Sequence, residues 1–403
     1  MGIIFNIEES VRNSGFNVLQ EPIKMILDKQ VEAYEKESII DKFFVKKTTD
    51  RYMEEYRSLT AMDGFKPTED MEVAPISDFE ESYFQQFTFQ TWTNSFVISK
   101  QTMEDGNMNN INGGALNFIK SHGRTRELYA VRVIGAALGN EYPEYKILAK
   151  TGKGMDTTTG EIEGEKQVYF HKAHKTVKLR DGRVFDKDGN VVAKGTPDAK
   201  PYIEQSNKFS IADLDMTSGK VADLEEKVLD VLGQVEAKMA VYKDDKGNII
   251  PVEVDTIFVG KNYRLVDVLK RGLQSRYGAA MGGNGVNTQY GKYTIVECPY
   301  LSGIDGFKDA DNGLILASSS RNQEGLGAAW FDRKPLEVRS YKDDKNEANV
   351  WAGRARWGAG FGDFRAMSYV SFPAAGATAA ATRDADTTIV PTSTGVRAVK
   401  VVE

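Results

Sequence analysis

The histidines are the first residues to consider for chemistry, because imidazole serves both as a metal ligand and as a proton carrier near neutral pH. Of the three in the chain, His171 and His174 stand together in the sequence His-Lys-Ala-His. On a helix this spacing could share a metal ion, whereas on a strand the two side chains face opposite ways. The preceding Gln167-Val-Tyr-Phe has strand character, so the pattern favours structural or surface histidines over metal ligands.

Other motifs for catalysis or ion binding are absent from the sequence or incomplete. The chain contains no Gly-x-Ser-x-Gly, no His-Glu-x-x-His and no Gly-x-x-x-x-Gly-Lys. A calcium loop started at Asp309 would have Gly313 at its fifth ligand position and Ser320 in place of the bidentate glutamate. The single Cys298 excludes an internal disulfide and any zinc site that needs two thiolates. We therefore expect no catalytic, cofactor-binding or metal site, and a protein that is not an enzyme.

The segment Gly353-Arg-Ala-Arg-Trp-Gly mixes arginine, glycine and an aromatic residue, as some nucleic-acid-binding segments do. On a strand, Arg354 and Arg356 share one face, while Ala355 and Trp357 share the other. We expect a half-exposed strand here rather than a binding groove.

Composition and charge bound the class of protein. The 403 residues carry 52 Lys+Arg against 58 Asp+Glu, a net charge of −6, which argues against a surface built wholly to hold nucleic acid. The start of the chain lacks the basic region of a signal peptide. The most apolar stretch, Tyr129–Leu138, is too short to span a bilayer and contains Arg132. The sequence predicts a soluble protein without a membrane partner.

Helical and strand patterns occur side by side, which predicts an α+β fold. Apolar spacing predicts helices at 109–140, 221–241 and 262–272, the first with a break or kink at Ser121-His122-Gly123. Strands are predicted at 256–259, 292–296, 314–317 and within 330–372. Between them, Asp181-Gly182 and Asp188-Gly189-Asn190 predict hairpin turns.

An aromatic stretch at 83–98 alternates as strands do, but its alternation changes parity. Phe87 and Phe89 occupy odd positions, whereas Trp92 and Phe96 occupy even ones. A bulge or hairpin bend must absorb the change, and Thr93-Asn94-Ser95 is its predicted place. Large aromatic residues on both faces indicate a partner on each side.

The first 60 residues are charged and helical in pattern. After Pro22, apolar residues recur on one face, among them Ile23, Leu27 and Val31. Two interpretations stay open: an ordinary surface helix, or an arm that packs on something beyond its own domain.

The order of these segments resembles the major capsid proteins of tailed bacteriophages, whose fold also forms the herpesvirus capsid floor. The phrases that carry the resemblance include Phe96-Val-Ile-Ser-Lys-Gln-Thr-Met-Glu-Asp and Asp255-Thr-Ile-Phe-Val-Gly-Lys-Asn-Tyr-Arg-Leu. Val168-Tyr-Phe-His-Lys-Ala-His, followed by Asn207-Lys-Phe-Ser-Ile-Ala-Asp-Leu, is similar to the Mu-like major head subunit, as is the closing stretch with Asp363-Phe-Arg. The resemblance covers about 40–372.

The resemblance implies a tailed-phage major capsid fold with an N-terminal arm, an extended E-loop, a peripheral domain with a long spine helix, and an axial domain. Its implied boundaries are 1–62 for the arm, 72–100 for the E-loop hairpin, 101–149 and 206–220 for the peripheral domain, 150–205 for an inserted β-rich segment, 221–329 for the axial domain, 330–373 for the return to the peripheral domain, and 374–403 for a C-terminal tail.

The function implied by the resemblance is self-assembly into pentamers and hexamers that form an icosahedral head around double-stranded DNA, held without sequence-specific binding. The implied location is the virion, assembled in the cytoplasm of a host bacterium, with a portal and scaffold or decoration proteins as further partners. The resemblance also implies that the aromatic hairpin lacks a partner in its own chain, because a neighbouring subunit supplies one. The subunit-interface candidates are Phe84, Phe87, Phe89, Trp92, Phe96, Ile23, Leu27 and Val31.

Three other interpretations remain open. One is a cellular nanocompartment shell of the same fold, which encloses protein cargo. A second is an α+β metal-dependent hydrolase that uses His171 and His174. A third, compatible with a capsid role, makes 150–205 a sugar-binding decoration.

Overall fold

The computed structural model describes most of the chain between residues 38 and 372. The described residues are 4–7, 25, 38–71, 73, 76, 81–104, 108–139, 150–151, 168–176, 178–211, 214, 221–275, 287, 289–308, 312–325, 327–343, 345, 348–372 and 388–389.

Strands outnumber helices within the described residues. The strands are β1 (Ile4–Ile7), β2 (Val45–Thr48), β3 (Met53–Leu59), β4 (Glu81–Thr88), β5 (Gln90–Ile98), β6 (Lys150–Thr151), β7 (His174–Lys175), β8 (Val184–Phe185), β9 (Val191–Val192), β10 (Glu204–Gln205), β11 (Lys208–Ile211), β12 (Thr256–Val259), β13 (Thr294–Glu297), β14 (Gly313–Ala317), β15 (Ala328–Asp343), β16 (Ala348–Phe361), β17 (Met367–Ser371) and β18 (Thr388–Ile389). The helices are α1 (Ile40–Phe43), α2 (Lys100–Glu104), α3 (Met108–Ala137), α4 (Val221–Met239), α5 (Tyr263–Gln274) and α6 (Ser319–Gly325), with 3₁₀ turns at Pro299–Gly303 and Phe364–Ala366.

The chain divides into two compact units. The first unit consists of Met1–Glu54, Gln86–Val131 and Ala328–Gly360. The second unit consists of Glu55–Gln85, Arg132–Gly327 and Phe361–Glu403. Both units are assembled from segments that are far apart in the sequence. The mixture of helices and sheets confirms the predicted α+β class.

The first unit contains a five-stranded sheet in the order β1-β15-β16-β5, with β2 also paired to β15. β15 and β16 are long strands, and β5 pairs antiparallel with β16 from Asn349↔Ile98 to Trp357↔Gln90. Arg354 is exposed and Arg356 half-buried, whereas Ala355 and Trp357 are buried. This alternation confirms the half-exposed strand expected from the sequence.

The second unit contains a six-stranded sheet in the order β13-β12-β14-β17-β11-β18. Its largest hydrophobic core is mainly aliphatic and joins this sheet to α4 and α5. Each helix begins near its predicted position. The reason is that a regular apolar stripe at helical spacing is buried when the segment forms a helix and turns that stripe toward the core. The predicted strands at 256–259, 292–296 and 314–317 are also present, as β12, β13 and β14.

Helix α3 runs for 30 residues without interruption. The predicted break at Ser121-His122-Gly123 is therefore wrong. Glycine and serine lower the intrinsic helix propensity by less than about 1 kcal/mol each. Burial of Phe118, Ile119 and Ile134 along the same helix outweighs that cost.

The aromatic stretch 83–98 is two strands in two different sheets, not one hairpin. β4 belongs to a three-stranded sheet in the order β3-β4-β6, whereas β5 pairs with β16. The chain leaves strand geometry at Phe89, and β5 passes straight through Thr93-Asn94-Ser95. The predicted position of the bend is wrong, because the parity changes where the chain passes from one sheet to the next.

Residues 172–208 form a small lobe, which we call the basic lobe. β7 pairs with β10, β8 pairs with β9, and Leu179, Phe185 and Ile203 pack together as its core. Gly182 and Gly189 have φ of +69° and +74°, which glycine adopts without strain. The turns predicted at Asp181-Gly182 and Asp188-Gly189-Asn190 are confirmed.

The sheet of the second unit crosses the boundaries that the resemblance implies. β17 lies between β14 and β11, although the resemblance assigns 221–329 and 330–373 to different domains. The arm, E-loop, peripheral and axial boundaries stay predictions.

Candidate functional site

Two parallel ring stacks hold β5 against β16. Phe96 directly faces Trp351 across the strands, and their rings lie 5.1 Å apart at an interplanar angle of 6°. Trp92 faces Ala355, so its ring reaches the diagonal neighbour Trp357 at 5.3 Å, again at 6°. Cross-strand aromatic pairs of this kind are a main stabilising unit of a sheet.

Helix α3 is joined to the same face of the sheet by a buried charge pair. The Arg126 guanidinium lies 5.1 Å from the Trp330 ring and 5.4 Å from the Trp357 ring. Its Nη2 lies 3.2 Å from Asp332 Oδ1, and that oxygen also accepts a hydrogen bond from Trp330 Nε1 at 3.0 Å. Because Asp332 is buried, the arginine neutralises a carboxylate that would otherwise be costly there.

His122 of α3 packs edge-on against Trp357, with the ring centroids 5.5 Å apart. Burial, assisted by the nearby positive charge of Arg126, lowers the pKa of His122 to about 3. The imidazole is therefore neutral at physiological pH and serves as part of the aromatic packing.

A cleft beside these rings is small. It is lined by Trp92, Phe118, His122, Gly353 and Trp357, among others, and its volume is about 60 Å³. That volume holds water but is well below the several hundred Å³ of ordinary substrate pockets. This part of the first unit is built for packing rather than for binding a metabolite.

The predicted interface residues have partners within their own chain. Phe87 is buried with its ring 4.9 Å from that of Phe331, and Phe89 lies 6.0 Å from the same ring. With the stacks of Trp92 and Phe96, these contacts show that the expectation of missing intrachain partners is wrong. The partners lie in β15 and β16, more than 200 positions along the sequence, where no local pattern pointed to them.

The structure gives less information about the remaining predicted interface residues. Phe84 lies in β4, where its backbone pairs with Lys150 of β6. Ile23, Leu27 and Val31 lie outside the described residues. A role for all eight residues at subunit interfaces stays a prediction.

β5 stands at the end of its described sheet. Its second face carries the exposed residues Thr91, Thr93, Ser95 and Val97. A strand at the end of a sheet retains backbone groups that can pair with another chain. One face of β5 is therefore fixed by the ring stacks, while its other face is exposed and no described strand pairs with its outer edge.

His174 is structural in this arrangement, and His171 Nδ1 accepts a hydrogen bond from the Ala173 backbone N–H at 3.1 Å. His174 Nε2 lies 2.9 Å from the Tyr169 carbonyl oxygen and 3.1 Å from Asn207 Oδ1, so it donates to acceptors. Its ring stacks on Phe364 at 4.0 Å. Burial lowers the pKa of His174 to about 3, although these hydrogen bonds act in the opposite direction.

A metal centre gains no support from the surroundings of the two histidines. Among the described residues, no group of three His, Cys, Asp or Glu side chains could hold a metal ion. The interpretation as structural histidines therefore accounts for the contacts of His174, while the hydrolase interpretation has no third ligand in that part of the chain.

Asn207 is a structural centre that sequence reasoning missed. Its Nδ2 lies within hydrogen-bond distance of the carbonyl oxygens of Tyr169, Phe364 and Met367, at 3.0, 3.1 and 3.2 Å. Its Oδ1 accepts from the His171 backbone N–H at 2.9 Å. The side chain thus ties three segments of the second unit together. The only sequence signal for the importance of Asn207 was its place in a motif that carries the family resemblance.

A second such centre surrounds Asp363. Its carboxylate accepts from Arg321 Nη2 at 2.7 Å and from Arg365 Nη1 at 3.2 Å, and Arg365 also reaches Asp245 at 3.3 Å. Burial opposes ionisation of Asp363, but the two guanidinium groups outweigh it and hold the pKa of that carboxyl below its usual value. The motif Asp363-Phe-Arg therefore forms a turn whose two charged side chains take part in buried ion pairs.

No family and no curated protein matches the sequence. None of the helices within the described residues has the length and apolar character needed to cross a membrane.

The fold has counterparts among solved structures. The capsid structure of the cyanophage P-SCSP1u is 9% identical, with a TM-score of 0.45, and the match covers 84% of this chain and 89% of that one. The mature capsid of bacteriophage PhiM1 is 12% identical, with a TM-score of 0.43 and coverage of 81% and 84%. A virus-like particle from Pyrococcus furiosus is 9% identical, with a TM-score of 0.37 and coverage of 87% and 98%. Because these TM-scores lie below 0.5, the function proposed next rests on the chain's own elements.

Proposed function

We propose that the chain is a major capsid protein that self-assembles into the pentamers and hexamers of an icosahedral head, and that the head belongs to a tailed bacteriophage and encloses double-stranded DNA. One observation carries the proposal: the elements that the sequence resemblance implies occur in the expected order. β4 and β5 fall within 72–100, which the resemblance assigns to the E-loop, and the 30-residue α3 follows where the resemblance implies a spine helix. α4, β12 and α5 then follow within 221–329, the range that the resemblance assigns to the axial domain.

The availability of β5 supports assembly from many copies. Its inner face is held by the ring stacks, so the strand is rigid, while its exposed face and outer edge lie at the end of the described sheet. A rigid element loses little conformational freedom when it binds, which favours association. Several modest contacts per subunit then combine into a stable shell.

The partners of the head are part of the same proposal. The net charge of −6 suits a container that holds DNA without binding it tightly. A portal, a scaffold or decoration protein, the virion as the final location and the host cytoplasm as the place of assembly follow from the resemblance. The Mu-like branch is proposed on the same sequence phrases.

A nanocompartment shell of the same fold is the second candidate, because the same elements in the same order would build either kind of shell. The two candidates differ in what the shell contains. A phage head protects duplex DNA from nuclease, whereas a nanocompartment contains protein cargo.

The test is to express the full chain alone and with a co-expressed scaffold, and to examine the products by sedimentation and electron microscopy. Closed shells of uniform size are expected. A folded monomer under every assembly condition, scaffold included, would contradict the proposal. Nuclease-protected DNA in particles from the natural source then separates the phage head from the nanocompartment.

A further inference from the structure

The charge of the chain is unevenly distributed. The basic lobe, residues 172–208, carries nine Lys/Arg against five Asp/Glu, a net of +4 in a chain whose total is −6. Residues 53–82 carry nine Asp/Glu against two Lys/Arg, a net of −7. Opposite charge on two segments of one chain is a pattern expected when copies of that chain bind each other.

Four lysines of the basic lobe have no acidic partner among the described residues. Lys172, Lys178, Lys187 and Lys194 are exposed, and no carboxylate of the described residues lies within ion-pair distance of them. The lobe's acidic residues are partly used internally: Asp181 pairs with Arg183 at 2.7 Å and Glu204 pairs with Lys200 at 2.6 Å. Its excess positive charge therefore faces outward.

The acidic side of the pattern is accessible as well. We call residues 61–71 the acidic strip, and every residue from Gly64 to Met71 is exposed. The strip also presents apolar side chains to solvent, since Met62, Phe65 and Met71 are 61%, 110% and 95% exposed. Apolar groups displayed on a charged strip are typical of a surface that becomes covered by a partner.

One contact within the chain shows that the two surfaces are chemically matched. Asp63 of the acidic strip lies 2.9 Å from Arg183 of the basic lobe and 3.5 Å from Lys246 beside it. Although desolvation opposes ionisation, these two cations hold the pKa of Asp63 below its usual value. The remaining carboxylates of the strip, Glu69 and Asp70, lie on its exposed part.

We propose that the basic lobe of one copy binds the exposed part of the acidic strip of a neighbouring copy. Lys178, Lys187 and Lys194 supply the positive charge, Glu69 and Asp70 the negative charge, and Phe65 and Met71 the apolar area that becomes buried. This contact rests on the proposed function, because it is one of the subunit interfaces of the shell. The charge steers the approach of the copies, and burial of the apolar side chains holds them together.

The experiment uses charge reversal in the full chain. The lobe variant combines Lys178→Glu, Lys187→Glu and Lys194→Glu, and the strip variant combines Glu69→Lys and Asp70→Lys. Each is expected to lower the yield of shells at least tenfold at low salt, with an unchanged far-UV circular dichroism spectrum. Lys261→Glu with Lys334→Glu, exposed lysines outside the lobe, is the matched control and should assemble like the wild type.

Mixing the two variant chains distinguishes a contact between copies from one within a copy. In the mixture, the acidic lobe of one variant meets the basic strip of the other, so shells should return to within about threefold of the wild-type yield. Rescue by a single chain that carries all five changes, without rescue by the mixture, would place the contact within one chain and overturn the proposal.

Two further outcomes have defined meanings. A lobe variant that assembles normally but no longer retains duplex DNA in a salt-dependent way would assign the lysines to nucleic acid and overturn the proposal. Wild-type chain that forms no shells under any condition would instead contradict the proposed function, and the control variant keeps these two failures apart.

Discussion

Both units pack helices against a sheet, but they do so with different kinds of side chain. In the first unit, tryptophan and phenylalanine rings join β5, β15 and β16 to α3, and all four tryptophans of the chain lie there. In the second unit, the main core between the sheet and helices α4 and α5 is built largely of valine, leucine and isoleucine. The aliphatic core follows from local periodicity, whereas the aromatic contacts join distant residues, such as Tyr129 and Ala359, which are 230 positions apart.

The difference in packing matters for the proposed assembly. An aromatic pair has a preferred geometry, so the stacks fix the direction of β5 as well as its position. Aliphatic side chains fill volume with less directional demand. In the proposed shell, a unit whose end strand presents one face to neighbouring copies benefits from the first kind of packing.

The largest expected effect comes from Trp357→Ala in the first unit. Trp357 is 1% exposed and contacts Trp92, His122 and Trp330, so its loss should cost about 3–5 kcal/mol of unfolding free energy. Urea unfolding of the unassembled chain, followed by fluorescence of the remaining tryptophans, reports this unit. A fluorescence midpoint equal to that of the wild type would contradict the packing role.

The matched change in the second unit is Leu269→Ala on α5, where the leucine is fully buried. We expect a loss of about 2–5 kcal/mol, seen in the far-UV circular dichroism of the helices. Its effect on tryptophan fluorescence should be smaller than that of Trp357→Ala. Equal fluorescence shifts in both variants would mean that the two units unfold as one.

Glycine-to-alanine substitutions should distinguish the two sheets more clearly, because the added methyl group meets different atoms in each sheet. At Gly313 of β14 a Cβ atom would lie 1.9 Å from the backbone oxygen of Gly306, which cannot move independently. At Gly353 of β16 it would lie 2.4 Å from the edge of the Phe118 ring, which can turn aside. We expect Gly313→Ala to cost about 3 kcal/mol and Gly353→Ala about 1 kcal/mol. Thermal unfolding of both variants checks the order, and the reverse order would contradict it.

The remaining prediction is a pH dependence shared by the two units, each of which packs one histidine against an aromatic ring. The folded pKa of His122 and of His174 is about 3, below the usual value of 6.5, so the unfolded chain binds more protons between those values. Stability is therefore fully present above pH 6.5 and falls as the pH drops. From pH 7 to pH 5 each histidine should contribute a loss of about 2 kcal/mol.

His122→Gln and His174→Gln serve to assign the two contributions. Each variant should lose stability at pH 7, because it disturbs a packed site, yet keep only about half of the wild-type decrease between pH 7 and pH 5. Urea unfolding at four pH values in that range measures the slope. A variant that retains the full wild-type slope would show that its histidine does not titrate as described.

Much of the second unit could be predicted from the sequence because its signals are local. The stripe Val228, Leu232, Val235 and Met239 repeats at helical spacing, and the run Thr256–Val259 reads as a buried strand. Turn chemistry placed the tips at Gly182 and Gly189 for the same reason. The absence of catalytic motifs and the order of the segments pointed to a protein that self-associates.

The candidate site was predicted only in part. The sequence identified Phe87, Trp92 and Phe96 as unusual, but it placed the bend at Thr93-Asn94-Ser95 and left the rings without intrachain partners. A parity change has the same appearance whether the chain bends within one sheet or passes into another. The partners Phe331, Trp351 and Trp357 could not be assigned without knowing the register of β5 on β16.

The sequence by itself determined the α+β class, the aliphatic helices, the hairpin tips and the uneven distribution of charge, because each depends on neighbours along the chain. Tertiary structure alone decided which rings stack, that α3 continues through Gly123, and that Asn207 and Asp363 tie separate segments together. The physical reason is that burial and hydrogen bonding between distant segments outweigh a local preference of about 1 kcal/mol, and no local pattern records which distant segment will supply them.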